Sequence, residues 1–412
     1  MTSSLQKTIA RYMSGRLLLA VGSAAAIPVL SRYLGVEGYG RLSIALALVA
    51  TVVQLIGGWL QQSLLRYHAH YLTEPVLPRY TLTIQFLTFI IGGLGCIALA
   101  PLAWQGGNSP LAIVLLALLG ALSLWNLVLT ALAQAERRPE AIVASEAFRV
   151  FAPVALSLVF LLVGLKPQEP ASLIVLVYGA GMLFACVTLT RMAGERPAHG
   201  PLAPVVVRRL WRFGAPMGLW FGLNSLQALC VLYVLKQLDA TALGVYAAYN
   251  DLFIKAGTVL MMPVTYAVHA EVMARQAAGE RSEALVALRQ GYQYQLRLGA
   301  ALLVAAVLAT PLLSQVVLGM PSGYTKAGLV AVILLGVVTG NLGLLTHKGL
   351  EMTDRVGEMV GMAAVMLAVT LTVTTLLLSA GAGLWASLGL LAGNVVYCLT
   401  THFLSRRALA RG

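Results

Sequence analysis

Long apolar runs separated by short polar segments make up almost the whole chain. Runs of about 17 to 25 residues are long enough to cross a bilayer as helices. Their richness in Leu and Ala favours helices over the shorter, alternating strands of a membrane barrel. The pattern therefore predicts an all-α polytopic membrane protein. Its twelve predicted spans are 15–34, 41–64, 80–102, 111–133, 142–164, 171–190, 211–235, 243–268, 297–318, 326–346, 357–379 and 382–404.

The twelve spans divide into two groups of six. A basic, proline-containing linker at 193–209 follows the sixth span, and it separates an N-terminal six-helix bundle, 1–192, from a C-terminal one, 210–412. With Gly40 set opposite Gly244, both halves show an apolar helix end, a basic residue, a short loop and a second helix. We expect two pseudo-symmetric bundles around a central cavity, with binding groups near the bilayer midplane.

Composition makes lipid the main solvent of this protein. Of its 412 residues, 59% are hydrophobic and only 10% are charged, and the mean hydropathy is +0.84. A soluble domain carries about 25% charged residues. The four cysteines fall within spans as small core residues, and they show no metal-binding spacing.

The basic residues predict the orientation of the chain. Of 28 Lys and Arg residues, 22 fall on the side that holds both termini, which predicts that both termini are cytoplasmic. This bias and attraction to anionic lipid account for the net charge of +13, so we expect no nucleic-acid partner. Lys7 and Arg11 precede an apolar stretch that imitates a cleavable signal, which we interpret as a retained first helix.

The loops predicted to lie outside the cell are too short to carry a catalytic domain. No nucleotide-binding, nucleophile-elbow or zinc-protease motif occurs in the sequence, so we predict that the protein is not an enzyme. The HAH stretch at 68–70 places two histidines on different faces of a helix. We interpret it as an interfacial helix end, and we predict no metal and no organic cofactor.

Asp251 and Lys255 lie inside the eighth apolar run. Counted from Leu243, Asp251 is about 12 Å deep and Lys255 about 18 Å deep in a helix. A charge at such depth costs roughly 3 kcal/mol or more. Their spacing of four places them on one face, where they partly neutralise each other. A buried ion pair that fixes packing is one interpretation. The other is a ligand-handling site, with Asp251 coupled to a proton or to Na⁺.

Other polar residues extend this candidate site. Amides occur in the second span and in the seventh, and four arginines lie near predicted cytoplasmic ends. The arginines serve either as topology signals or as a cationic vestibule for phosphate, which their forked guanidinium binds well. The predicted substrate-binding set is Arg16, Gln54, Gln61, Arg66, Arg149, Asn224, Gln227, Lys255 and Arg297.

Two stretches resemble a known family. LSRYLGVEGYGRLSIALALVATVVQLIGGWLQQSLLRY at 30–67 is similar to the first two helices of polysaccharide-biosynthesis flippases. LGVYAAYNDLF at 243–253 resembles the opening of their eighth helix. These flippases belong to the multidrug/oligosaccharidyl-lipid/polysaccharide exporter superfamily, whose six-plus-six layout matches the predicted spans.

The resemblance implies a flippase for an undecaprenyl-diphosphate-linked oligosaccharide, working by alternating access between the leaflets. Partners would be this polyprenyl-linked glycan and membrane lipid, and could include glycan polymerase or ligase enzymes; we expect a monomer. Two alternatives stay open. One is a drug/cation antiporter of the same superfamily, and the other, from a different class, is a polytopic glycan polymerase or acyltransferase.

The predicted orientation can be tested with reporter fusions. Alkaline phosphatase needs disulfides that form outside the cytoplasm, so a fusion after Lys166, in a predicted outside loop, should be active. A fusion after Gly412 should be inactive, whereas a green fluorescent protein at that position should fluoresce. An active phosphatase at Gly412 would overturn the predicted orientation.

Overall fold

A computed structural model gives the structure of the protein. It describes residues 2–71, 77–105, 110–136, 138–164, 170–193, 200–237, 240–319, 326–353 and 355–411.

The fold is all-α, as the apolar runs predict. Thirteen α-helices occur in the described residues, together with a π-helical turn at Leu312–Val317 and a 3-10 turn at Gly383–Ser387. The helices are α1 (Thr2–Tyr71), α2 (Leu77–Gln105), α3 (Pro110–Ala135), α4 (Pro139–Leu162), α5 (Pro170–Ala193), α6 (Pro204–Leu235), α7 (Ala240–Leu260), α8 (Met262–Ala277), α9 (Arg281–Leu308), α10 (Ala327–Thr346), α11 (Lys348–Met352), α12 (Val356–Ser379) and α13 (Leu388–Arg411).

Eight of the described helices are long and apolar enough to cross a membrane, and a ninth span results if the bent pair α7–α8 counts as one. The twelve predicted spans map onto the same helices. The difference arises because α1 contains two predicted spans, α9 carries several polar residues, and only Leu176–Met192 of α5 enters the count.

Gly35 divides α1 between its two predicted spans. Its backbone has φ 70° and ψ 167°, while the residues on either side are helical. A side chain is strained at this φ, whereas glycine adopts it at no steric cost. One glycine therefore takes the place of a loop between the first two predicted spans.

The eighth predicted span is broken into two helices. α7 ends at Leu260 and α8 begins at Met262, with a bend of 40° between them. Pro263 lies at the start of α8, where its missing N–H costs no internal hydrogen bond. The apolar run is continuous in sequence, but the helix is not.

The chain forms two compact units. The N-terminal unit is Arg41–Leu229, and the C-terminal unit is Met1–Gly40 together with Cys230–Gly412. Each of α1 and α6 therefore contributes residues to both units. These bounds do not coincide with the halves drawn at the 193–209 linker, and the six-plus-six bundle organisation stays a prediction.

In the C-terminal unit, α1 and α7 cross with their backbones almost in contact. A Cβ atom on Gly40 would lie 2.9 Å from the backbone nitrogen of Gly244, and one on Gly244 would collide with the carbonyl of Val36. Small residues allow this approach, which is a common way to pack helices in lipid. Gly40 and Gly244, which the comparison of the two halves of the sequence sets opposite each other, are thus in contact.

The crossing predicts a position-specific effect of a single methyl group. Gly244→Ala should destabilise the protein by about 1–3 kcal/mol, because the methyl group meets backbone that cannot move aside easily. Gly361→Ala on α12 is the matched control, since its Cβ would meet open space and alanine favours a helix. Thermal unfolding in detergent measures both, and equal melting temperatures would contradict the crossing.

Candidate functional site

Two helices of the N-terminal unit carry most of the predicted polar residues. Gly214, Gly218 and Gly222 of α6 face Leu55 and Trp59 of α1. A Cβ on Gly218 would lie 2.6 Å from the backbone nitrogen of Trp59, so the helices touch through their backbones. This contact fixes the α1 and α6 side chains relative to one another.

Four predicted amide residues lie on this helix pair. Gln54 and Gln61 of α1 are half-buried, Gln227 of α6 is buried, and the side-chain amide of Asn224 donates to the Trp220 carbonyl at 2.7 Å. The Oε1 atom of Gln54 is buried without a hydrogen-bond donor in the described structure. Such an atom favours a polar ligand, because an unmet acceptor is costly in an apolar environment.

Arginines and aromatic rings meet at one end of the same helix pair. The Arg66 guanidinium carbon lies 4.2 Å from the ring centre of Phe213, and that of Arg209 lies 4.9 Å from the ring centre of Tyr67. The two rings pack edge to face at 5.8 Å. We call these four residues the arginine–aromatic patch. Both arginines are exposed, so the patch presents two cations at the end of the span predicted to be cytoplasmic.

The C-terminal unit holds the predicted Asp251 and Lys255, both half-buried on α7. The Tyr39 hydroxyl of α1 donates a hydrogen bond of 2.8 Å to the Asp251 carboxylate. This contact comes from a residue 212 positions away and next to the glycine crossing. The predicted Asp251–Lys255 pairing itself stays a prediction.

The remaining predicted arginines are distributed over the chain. Arg149 of α4 pairs with Glu146 one turn away, with 3.0 Å between Nε and the carboxylate. Arg297 of α9 is exposed in the C-terminal unit. The side chain of Arg16 lies outside the described part of the structure. A single vestibule of all four arginines is therefore still a prediction.

An apolar groove of about 750 Å³ lies between α2 and α3 in the N-terminal unit. Its walls include the exposed rings of Phe89 and Trp125. Gly92 and Gly93 open its floor, because a Cβ at either would meet empty space. The groove has the dimensions of a ligand site and the chemistry of a hydrocarbon chain.

Each unit also contains a buried Tyr–His–Glu network that the sequence did not predict. In the N-terminal unit, His68 contacts the Tyr80 hydroxyl at 2.8 Å and Glu136 at 2.9 Å. His68 is fully buried and lies three residues before the end of α1 at Tyr71, so the predicted helix end is confirmed, while its place at the membrane interface stays a prediction. Neighbouring helices cover this end of α1.

The C-terminal unit repeats the arrangement with other residues. His347 contacts the Tyr397 hydroxyl at 2.9 Å and Glu351 at 3.0 Å. Lys348 binds the other oxygen of Glu351 at 2.6 Å. The HKGLE stretch at 347–351 could have predicted the His347–Glu351 contact, since these two residues are one helical turn apart. The tyrosine is not predictable, because it lies 50 residues away.

No group of three or more His, Cys, Asp or Glu residues is placed to hold a metal ion in the described ranges.

The comparisons with known proteins identify the fold. No family model and no curated protein sequence matches the chain. A multidrug resistance MATE family transporter of the MOP superfamily, solved in an inward-facing conformation, matches with a TM-score of 0.72 at 13% identity. The match covers 97% of this chain and 98% of that one.

Two further solved structures agree. An outward-facing multidrug resistance MATE family transporter matches with a TM-score of 0.67 at 14% identity, over 97% of this chain and 96% of that one. A MOP superfamily transporter from Pyrococcus furiosus matches with a TM-score of 0.68 at 12% identity, over 98% and 96%. The chain is thus a multi-pass membrane protein with a MATE-like fold. The resemblance is confirmed at the level of this fold, while the flippase subtype stays a prediction.

The Tyr39–Asp251 contact has a measurable energy. Tyr39→Phe should lower stability by about 1.5–3 kcal/mol, the range for a hydrogen bond to a charged group. Tyr233→Phe removes the hydroxyl of an exposed ring on α6 and should change little. Thermal unfolding in detergent distinguishes the two, and a Tyr39→Phe protein as stable as the Tyr233→Phe control would contradict the contact.

Proposed function

We propose that this chain is a transporter that works by alternating access. The support is a fold shared over nearly its whole length with transporters that have been solved in inward-facing and outward-facing conformations. These neighbours are transporters rather than enzymes, which favours transport over the polymerase or acyltransferase alternative.

We further propose that the cargo is an undecaprenyl-diphosphate-linked oligosaccharide, moved from the cytoplasmic to the outer leaflet. The observation that carries this proposal is the arginine–aromatic patch. Two exposed guanidinium groups beside two rings suit a diphosphate followed by sugar. Arginine binds phosphate oxygens through two parallel hydrogen bonds. In the predicted orientation, the patch would face the cytoplasm, from which such a substrate is loaded.

The apolar groove supports a lipid-linked cargo. A sugar diphosphate cannot cross hydrocarbon unaided, but its polyprenyl tail can remain in lipid while the head group moves. The α2–α3 groove offers that tail an apolar surface in the same unit as the patch. A water-soluble drug would need no such surface.

A drug/cation antiporter is the second candidate. Multidrug transporters share the fold, and the half-buried carboxylate of Asp251 could attract a cation. The Pyrococcus furiosus neighbour, however, is described as having a binding pocket of reverse polarity that suggests a different function. The fold therefore accommodates cargo of more than one charge, and the arginines of this chain favour an anion.

The expected setting follows from this proposal. The protein would act as a monomer in the bacterial inner membrane, with both termini in the cytoplasm, and could deliver its glycan to polymerase or ligase enzymes. In this proposal Arg16, Arg149, Asn224, Gln227 and Lys255 contribute further contacts to the cargo. Asp251 would couple transport to a proton or to Na⁺.

Reconstituted vesicles provide the test. Wild-type protein should flip a fluorescent polyprenyl-diphosphate oligosaccharide between leaflets, whereas the double variant Arg66→Gln, Arg209→Gln should be at least about tenfold slower, because it loses charged hydrogen bonds to phosphate. The matched control is Arg289→Gln, an exposed arginine on α9 of the other unit.

Three outcomes separate the candidates. Flipping that is lost only in the double variant supports the flippase. Equal rates in all three proteins would remove the patch from the mechanism. Accumulation of a cationic dye driven by an ion gradient, without any flipping, would establish the antiporter instead.

A further inference from the structure

The N-terminal network has two basic groups on Glu136, His68 and Arg138, and the C-terminal network has one basic group more. Glu351 meets three bases there: His347 on Oε1 at 3.0 Å, and Lys348 and His269 on Oε2 at 2.6 Å and 3.6 Å. His269 belongs to α8, whereas the other three residues lie at the junction of α10 and α11. The Oε2 atom of Glu351 thus faces two side chains that can carry a positive charge, Lys348 of α11 and His269 of α8.

His347 is satisfied as a neutral ring. An ionised Glu351 can only accept, so Nε2 of His347 must donate to it, and Nδ1 is left to accept from the Tyr397 hydroxyl. His68 has the same pattern of partners, with Tyr80 on Nδ1 and Glu136 on Nε2. Each of these two rings therefore has no unused nitrogen.

His269 is not satisfied in this way. Its Nδ1 atom is buried and points at Glu351, but 3.6 Å is too long for a hydrogen bond, and Nδ1 has no other partner in the described structure. The side chain is 45% exposed, in contrast to 2% for His347 and 9% for Lys348. The ring of His269 is therefore far more accessible than the other two basic groups of the network.

Charge neutrality explains why a proton on His269 would matter. Glu351 and Lys348 cancel each other while both histidines are neutral. A proton on His269 adds a second cation beside a single carboxylate that is only 13% exposed. The two cations would repel each other beside one carboxylate, so a proton on His269 and the Lys348 contact to Oε2 disfavour each other.

We propose that His269 is a proton-binding site and that its proton competes with Lys348 for Glu351. The arrangement seen here is the Lys348-bound form. In the proton-loaded form, His269 closes its 3.6 Å gap to Oε2, and Lys348 leaves the carboxylate. The competition couples proton binding to the contact between α8 and α11. This site is additional to the coupling role proposed for Asp251, and its use in transport rests on the proposed function.

The helices around the network carry further charged and titratable groups. α8 also carries Glu271 and Arg275, which pair with each other at 2.9 Å. Arg355 and Glu358, on the α12 side, pair with each other. The described residues of α10 contain no titratable side chain. Asp354 lies outside the described residues. The titratable and basic groups of α9 are Arg281, Glu283, Arg289, Tyr292, Tyr294 and Arg297, and the described ones of α13 are Tyr397, Cys398, His402, Arg406 and Arg407.

Histidine NMR of the full chain in detergent tests the competition directly. The sequence has six histidines, so selective ring labelling gives six signals that single His→Gln variants assign. The signals are followed from about pH 3.5 to about pH 9, so that midpoints below the ordinary histidine range are also measured. No substrate is needed, so the result does not depend on what the protein transports.

Two variants should shift the midpoint of His269 in opposite directions. Lys348→Met removes the competitor and should raise the midpoint by at least about one pH unit, a tenfold gain in proton affinity. Glu351→Gln removes the shared carboxylate and should lower it by a similar amount. Lys348→Arg keeps the competing charge and should retain the wild-type midpoint. The signal of His68 is the internal control for folding, because its network lies in the other unit.

Two results would contradict the competition between the His269 proton and Lys348. A His269 midpoint that is the same in wild type, Lys348→Met and Glu351→Gln would overturn the competition. So would the absence of any His269 titration in Lys348→Met. Either variant alone decides the question if the other does not fold. Vesicle flipping with and without a pH gradient then asks whether the site serves transport; proton competition without flipping would refute the proposed cargo and leave the site standing.

Discussion

Close contact between helix backbones is the constraint on which this structure depends. Lipid chains are as apolar as leucine, so helices gain little by hiding apolar side chains from them and associate through fit and hydrogen bonds instead. Glycines supply that fit at the Gly40–Gly244 crossing and along Gly214, Gly218 and Gly222. The first crossing places Tyr39 within reach of Asp251, and the second holds the helices that carry the arginine–aromatic patch.

The spans were predictable because lipid imposes a length and a polarity on every crossing segment, whatever its neighbours are. Most predicted span boundaries agree with the helices of the structure to within a few residues, as for 357–379 against α12 (Val356–Ser379). The break at Met261 was not predictable from hydrophobicity, because Met261 is as apolar as the residues around it. The Pro263 ring was a signal, but proline is tolerated in many membrane helices without a break.

The candidate site was predictable only in part. Depth alone drew attention to Asp251, since a buried carboxylate is costly wherever it lies. Its partner Tyr39 and the partner of His347, Tyr397, depend on tertiary contacts between distant segments. Gln54, Gln61 and Asn224 were chosen as amides within spans, and their placement on one helix pair follows from glycines whose role becomes apparent only in the fold. Polar residues in lipid can thus be found from sequence, whereas their partners cannot.

The membership of α1 in both units has a consequence for biosynthesis. The segment that ends at Gly40 leaves the ribosome well before the residues beyond 230 with which it packs. At about 5–20 residues per second, Gly244 follows Gly40 after roughly 10–40 s. During that interval the first span must sit in the bilayer without its native neighbours, with the Tyr39 hydroxyl lacking its carboxylate. A chain severed at the 193–209 linker would separate these partners permanently, so its two pieces would have to find each other in the membrane to recover the native packing.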